Sequence, residues 1–357
     1  MEKIFIQLAK HSFKYPIYVG SGVISKLVDL IDFARYSSIT VISDSTVFDL
    51  HGKRIIKKDM NSYIFKAGEK SKTLETVHEA YKYLAKNKVD RKGLVINLGG
   101  GVVTDLGGFV ASTYLRGIHF INVPTTIEAM VDASFGGKNG VNLGDYKNYI
   151  GTFTQPQTVI ADIDFLKTMP KRSLVQGFAE MIKHGLIQDK EYFMSVTSKN
   201  PNDFTKNELV KLIVESVHIK AQIVQQDEYE TGVRKLLNFG HTVGHAFESL
   251  SLKTDHPLFH GEAVAIGMVA EAKISESLGM ISEKDFQLIE TAISSFGLPT
   301  KYKDKVSVES VMSLIQKDKK GQRGKIKWTL LSGIGEGDYN IEFDDKFARE
   351  GIEYVLD

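Results

Sequence analysis

The sequence predicts an α/β protein in two parts: an α/β domain over residues 1–163 and a mostly α-helical domain over 164–357. Three observations predict it. Over roughly the first 150 residues, short β-rich runs alternate with helical segments, the pattern of a largely parallel sheet. From about Asp164 to Ile315 helical periodicity dominates and strand signals are few. At 357 residues the chain is also too long for one ordinary core.

Residues 2–8 and 14–19 alternate in polarity and read as a pair of strands. Ser21 to Ile31 has helical spacing. The β-rich run from Ser38 to Ser43 ends in Asp44. A carboxylate there can hydrogen-bond a ribose and would repel a 2′-phosphate, favouring NAD over NADP. It can equally cap a helix starting at Ser45-Thr46, and both readings stay open. Tyr63 to Lys66 is a short strand, Ala67 to Lys72 a loop carrying Glu69, and Thr73 to Ala85 an amphipathic helix. The buried strand Gly93 to Asn97 runs into Leu98-Gly-Gly-Gly101-Val-Val-Thr-Asp105-Leu-Gly-Gly-Phe109. Strand, glycine cluster and helix are the arrangement that lets backbone N–H groups meet a pyrophosphate, as in a Rossmann-like nucleotide-binding domain. The Gly-x-Gly-x-x-Gly fingerprint is absent, so a plain tight turn is the alternative. Ile118 to Val123 is a further strand.

Residues 132–148, after Pro124-Thr125-Thr126, are dense in glycine and polar side chains and read as a long functional loop. Its Lys138 and Lys147 are either ligand-binding groups or solvated charges. A last short strand, Thr158 to Ala161, precedes the helical part. There Glu180 and Lys183 stand three apart on one helix face. They are either an exposed ion pair or a metal carboxylate beside a phosphate-binding lysine. Lys220 and Arg234 lead into the densest stretch, Tyr229 to Met268, which holds His241, His245 and His260 of the chain's ten histidines. His241 and His245 lie one turn apart on a helix, a spacing that can present two metal ligands. A pair of satisfied core or surface histidines is the alternative. Gly240 and Gly244 would each cost about 1 kcal/mol inside a helix, so something must approach the backbone there. Near the C-terminus Lys317 to Gly321 reads as a charged turn before a strand-like run, Lys325 to Leu331.

The composition is 42% hydrophobic and 25% charged, ordinary globular material. A net charge of +1 gives no reason to expect nucleic acid or an anionic membrane as partner. Cysteine is absent, so any metal must use N and O ligands. The first ten residues lack a signal-peptide h-region, and the best apolar run, Ala263 to Ala270, is too short to span a bilayer. A cytoplasmic protein is expected. Repeats and low-complexity tracts are absent.

Taken together, Gly99-Gly-Gly-Val-Val-Thr-Asp105, Pro124-Thr-Thr126, Asp132, Gly136-Gly-Lys138, Lys147-Asn148, Ala179-Glu180-Met-Ile-Lys183, Leu237-Asn238-Phe-Gly-His241-Thr-Val-Gly-His245 and His260-Gly-Glu-Ala-Val resemble the 3-dehydroquinate synthase family, in order and over nearly the whole chain. The resemblance implies an N-terminal nucleotide-binding α/β domain and a helical metal- and substrate-binding domain. It implies NAD and one divalent ion, Zn2+ or Co2+, as cofactors. The reaction implied converts 3-deoxy-D-arabino-heptulosonate 7-phosphate into 3-dehydroquinate and phosphate. It proceeds by transient oxidation at C5, phosphate elimination, reduction, ring opening and intramolecular aldol closure.

Residue by residue, the resemblance implies Glu180, His241 and His260 as metal ligands and His245 as a general acid/base. Lys138, Asn148, Lys183, Arg234 and Asn238 act beside it at the reacting centre. Asp132, Lys220 and Lys319 join them in binding substrate, and Arg116 reaches the site of a neighbouring subunit in a homodimer. Asp44, Glu69, Lys72, Gly100, Gly101, Asp105, Thr125, Thr126, Lys138, Lys147 and Thr168 contact NAD. Met130 and Asn139 depart from the family's commoner polar residue and threonine. The rivals are another sugar-phosphate cyclase, which would change the residues at Lys220, Arg234 and Asn238, and a metal-dependent polyol dehydrogenase, which would not need so many anion-binding cations. A nucleotide-binding regulator without activity is the third, disfavoured by the presence of every implied ligand.

Overall fold

The computed structural model describes residues 1–7, 13–144, 146–318 and 326–356. Strand β1 (Glu2–Gln7) pairs antiparallel with β2 (Lys14–Gly20), and Ile4 and Ile6 point inward while their neighbours face solvent. The expected helix over 21–31 is broken. A 3-10 turn at Val23–Lys26 precedes the single turn α1 (Leu27–Leu30). The cause lies far along the chain: the buried Asp162 carboxylate accepts from Gly22 N and Ile24 N, at 3.0 and 3.1 Å, and holds the entry tight. Then come β3 (Ile39–Asp44), α2 (Ser45–Ile55), β4 (Asn61–Phe65) and α3 (Leu74–Lys86), the last capped by Thr73. All six residues of β5 (Leu94–Gly99) are buried, as a central parallel strand requires. It feeds α4 (Gly101–Thr113) and β6 (His119–Pro124).

The stretch expected as a long loop is instead largely a β-hairpin, β7 (Lys138–Leu143) with β8 (Tyr146–Phe153), preceded by a π-helical turn at Ala129–Ala133. Its glycines are packing devices. A Cβ on Gly140 would stand 2.6 Å from Ile150 O, and one on Gly151 2.4 Å from Asn139 O. With β9 (Val159–Asp162) the main sheet runs β1-β2-β9-β6-β5-β3-β4, parallel except at β1. Val77, Leu84, Val103, Leu106 and Phe109 cover one face against Ile42, Val95 and Phe120.

The helical part comprises α5 (Lys171–Gln188), α6 (Lys190–Val196), α7 (Lys206–Gln226), α8 (His241–Ser251), α9 (His260–Ser277), α10 (Glu283–Ser295) and α11 (Val308–Asp318). A hairpin, β10 (Trp328–Gly333) with β11 (Glu336–Ile341), and α12 (Asp345–Tyr354) complete it. Helix α9 is its centre. It is buried nearly all round, and α5, α8, α10, α12 and β10 pack against it. Burying Val264, Ile266, Met268, Val269 and Ile274 stabilises this arrangement by roughly 1.5–3 kcal/mol each.

Contacts divide the chain into two compact units, Met1–Met169 with Lys206–Glu228, and Pro170–Thr205 with Tyr229–Asp357. These units differ from the single division expected at 163/164 in two respects: the first boundary falls at 169/170, and residues 206–228 return to the first unit. Helix α7 belongs with the sheet, because its apolar face packs on β1 and β2. Among the described residues no helix is long and apolar enough to cross a membrane.

Candidate functional site

The histidines gather in the second unit through the crossing of α8 and α9. His241 is the first residue of α8, so Gly240 is its N-cap rather than a helix-interior residue, at φ 78°. What approaches the backbone at both glycines is α9. A Cβ on Gly240 would lie 2.5 Å from Met268 Cγ, one on Gly244 2.9 Å from Ala263 O, and one on Gly267 1.9 Å from Gly240 O. This backbone contact brings three rings together, with centroid separations of 5.1 Å (His241–His245), 5.3 Å (His241–His260) and 5.9 Å (His245–His260).

Helix α5 supplies Glu180. Its Oε1 stands 3.5 Å from His241 Nε2 and 3.8 Å from His260 Nε2. Both carboxylate oxygens are buried; Lys183 forms an ion pair with Oε2, and Oε1 has no hydrogen-bond partner. One atom from each of Glu180, His241 and His260 falls within 4.8 Å of the others. Those separations are long for hydrogen bonds and suit donors that share an ion held at about 2.0–2.2 Å from each. The far ring nitrogens are engaged: His241 Nδ1 lies 3.1 Å from Phe239 O, and His260 Nδ1 3.4 Å from Glu248 Oε2. Such partners set the tautomer that aims Nε2 at a metal.

Electrostatics favour the same state. Burial alone would raise the Glu180 carboxyl, but Lys183 and the two histidines hold it well below the usual range. Burial, reinforced by Lys183 and opposed by Glu180, holds His241 well below its ordinary value, so its ring is neutral. His245 forms a second group of possible ligands with Glu248 and His260. The combination that spacing alone allowed, His241 and His245 with Glu180, is not among the groups formed by the described residues.

The His260-Gly-Glu262 motif has a local explanation. Arg172, Gln176 and Glu180 recur every four residues on one face of α5. Arg172 grips Glu262 with two bonds of 2.6 Å, and Gln176 Oε1 accepts from Gly261 N at 2.7 Å. A Cβ on Gly261 would be 2.0 Å from Gln176 O. Glu262 Oε2 in turn accepts from Phe259 N, capping α9. The 3-10 turn Val233–Asn238 carries the buried Arg234, and Asn238, whose Nδ2 donates to Glu230 Oε1 at 2.6 Å.

In the first unit, Gly100 and Gly101 sit where β5 ends, and Thr125 and Thr126 follow β6 alongside. This is the carboxyl end of adjacent parallel strands, where nucleotides sit on open α/β sheets. Gly100 caps α4 with no side-chain hydrogen bond, and a Cβ on it would meet Thr126 Cγ2 at 3.1 Å. The turn is thus left as bare backbone, which suits a pyrophosphate. Asp44 caps α2, its Oδ1 accepting from Val47 N at 2.9 Å, and burial raises its carboxyl.

The buried Lys72 donates to Asp105 at 2.6 Å and to Asn148 Oδ1. Burial pushes the Asp105 carboxyl up against the pull of Lys72. Asn142 Nδ2 donates to Glu69 Oε1 at 2.8 Å, and its Oδ1 accepts from Asn148 N. Four predicted residues thus fall in one polar network, with Asn148 at φ 51°. Lys220 Nζ stands 2.7 Å from Asp132 Oδ1 and 2.6 Å from Asp132 O. Thr168 Oγ1 meets His51 Nε2 at 2.8 Å. Lys138 is exposed and Lys147 half-buried. Arg116 occupies a left-handed turn with Leu115, at φ 69° and 51°. Lys319 lies outside the described residues. Asn139 earns its place by donating to Gly137 O and Thr154 O, both at 2.9 Å, and Met130 is fully buried. Sequence reasoning missed His51, Asn142, Glu248 and Glu271. Only Glu248, one turn beyond His245, carried a spacing signal.

The family pattern described as 3-dehydroquinate synthase N-terminal matches residues 62–176, and the one described as 3-dehydroquinate synthase C-terminal matches 177–321. The 3-dehydroquinate synthase of Alkaliphilus metalliredigens is 41% identical over 341 residues, 94% of each chain. That of Thermoanaerobacter pseudethanolicus is 41% identical over 358 residues, covering 98% of this chain and 99% of its own. Among solved structures, a 2-deoxy-scyllo-inosose synthase complexed with carbaglucose-6-phosphate, NAD+ and Co2+ is similar, with a TM-score of 0.88 and 26% identity, over 99% of this chain and 100% of its own.

Proposed function

We propose that this chain, which belongs to the 3-dehydroquinate synthase family, converts 3-deoxy-D-arabino-heptulosonate 7-phosphate into 3-dehydroquinate and phosphate. The observation that carries this reading is the Glu180–His241–His260 cluster, standing in a chain that follows the family end to end. NAD+ and one divalent ion, Zn2+ or Co2+, are its cofactors in this reading. The inosose synthase complex supports them, as do the unsatisfied Glu180 Oε1 and the bare turn at Gly100. Bound NAD+ supplies reversible hydride chemistry at C5, and a bound divalent ion supplies Lewis-acid stabilisation of oxyanions.

The chain's own residues hold, orient and move protons. Glu180, His241 and His260 hold the ion. His245 passes protons, since a carrier beside a dication must escape capture by it. The substrate carries a carboxylate and a phosphate, and a chain of net charge +1 must concentrate cations to bind it. Lys138, Lys183, Lys220 and Arg234 supply them, with Asp132, Asn148 and Asn238 as neutral or acidic partners of the hydroxyls. Lys220 is held ready by Asp132. Gly100, Gly101, Thr125 and Thr126 take the pyrophosphate of NAD+, while Glu69, Lys72, Asp105, Lys147 and Thr168 complete its pocket. One oxygen of Asp44 caps α2, so its contact to ribose rests on the other.

A homodimer is part of the same reading. Tyr146 and Tyr149 on β8 are 63% and 70% exposed, and Phe153 is also exposed. A strained left-handed turn presents Arg116 at the surface. Incubation of the purified chain with the heptulosonate phosphate and NAD+ tests the activity. Formation of 3-dehydroquinate with equimolar phosphate supports it, and an inert substrate sinks it.

A further inference from the structure

We infer that Glu271 is a positioning residue for the metal cluster, a carboxylate on α9 that completes the start of α8 and so aims His241. The inference rests on the metal reading above. Glu271 is fully buried, and the proposed chemistry gives it no task. Its Oε2 accepts from Gly240 N at 2.6 Å and its Oε1 from Val243 N at 3.1 Å. Helix α8 begins at His241, so these donors are the N-cap and third-residue N–H groups. They are the same two donors that a capping box satisfies reciprocally with local side chains.

A local box is impossible here. The N-cap is glycine, at φ 78°, and a Cβ on it would strike Met268 Cγ and Val264 O. The third residue is valine, which has no acceptor. The close crossing that gathers the histidines therefore removes the side chain that would cap α8, and α9 returns a carboxylate to the same donors. Its negative charge also lies at the positive end of α8.

The consequence falls on His241, which sits between the two bonded residues. Its ring is fixed by Nδ1 against Phe239 O, one residue before Gly240, and its Nε2 faces Glu180. Releasing Gly240 N and Val243 N frees the turn that orients this ring, while Glu180 and His260, on α5 and α9, keep their own supports.

The test uses full-length, metal-stripped wild type, Glu271→Gln and Glu271→Ala, each checked for folding by thermal melt. Co2+ is titrated against a competing chelator, and its visible absorption bands report ligand geometry. Glu271→Ala should lose about 10–100-fold in Co2+ affinity, with altered bands, the usual effect of removing an outer-shell partner. Glu271→Gln, isosteric but with one acceptor, should fall between. Wild-type affinity and bands in both folded variants would overturn the inference. If Glu271→Ala does not fold, Glu271→Gln decides by the same criterion. A wild-type chain that takes up no Co2+ would instead strike the metal reading itself.

Discussion

Removing one charge from the Glu180–Lys183 pair should destabilise the metal-free protein sharply, and removing both should restore most of the loss. The two side chains are 0% and 1% exposed, so neither ion can turn to water when its partner is gone. Glu180→Gln leaves the Lys183 ammonium buried without its carboxylate, at a cost of about 3–5 kcal/mol. Lys183→Met leaves the carboxylate facing only the histidines and should cost a similar amount. The double variant buries no unpaired charge. The interaction free energy of the cycle should therefore be at least as large as one single loss, about 3 kcal/mol or more, at or beyond the usual upper end for residues in contact. Urea unfolding after chelation measures it, followed by fluorescence of Trp328. That residue is the chain's one tryptophan, and it is buried in the same unit as the pair. Losses that simply add, to within about 0.5 kcal/mol, would refute a buried ion pair. Stoichiometric zinc or cobalt in Glu180→Gln would refute its assignment as a ligand.

His245→Ala should retain near-stoichiometric metal and lose about 10²–10⁴-fold in rate, the usual contribution of a general acid/base. His241→Ala and His260→Ala should lose metal and activity together. Metal analysis decides, and a metal-free His245→Ala beside a loaded His260→Ala would reverse the assignment. The metal-free protein should also weaken on acidification. His241 is held below its ordinary pKa, so below about pH 6.5 the unfolded chain gains a proton there that the folded chain refuses. Stability from this group is full above about pH 6.5 and falls as pH falls from 7.5 to 5.5, by on the order of 1 kcal/mol. His241→Asn should lack that increment, and an equal pH dependence in both proteins would exclude His241 as its source. In sedimentation the wild type should run as a dimer and Tyr149→Asp should shift toward monomer at micromolar concentration. A monomeric wild type would remove the dimer from the account.

Those features whose physics is local could be read from the chain. The continuous apolar run of β5 announces a central parallel strand, and the glycines after it announce the bare turn at Gly100. That Glu180, His241 and His260 come together was legible only through the resemblance of their motifs to a family, while the helical spacing of His241 and His245 alone points to a different pair. The hairpin at 138–153 was hidden because Gly140 and Gly151 lower strand propensity while the fold uses them for close approach. The allegiance of α7 was hidden because an apolar stripe does not say which core it covers. Polar β11 and α12 gave no expectation at all. Glu271 was beyond reach for a deeper reason: its partners are backbone N–H groups 31 and 28 residues away, and backbone has no sequence signature.

The central claim is that NAD+ is recycled within a phosphate-eliminating reaction, and the most direct measurement is the ratio of phosphate to NADH. Purified chain, loaded with Co2+ or Zn2+, is mixed with 3-deoxy-D-arabino-heptulosonate 7-phosphate and limiting NAD+, and both products are followed in one cuvette. Phosphate should exceed NADH many-fold, with NADH never accumulating. Persistent NADH in step with substrate consumption, and no phosphate released, would make the chain a polyol dehydrogenase and contradict the account.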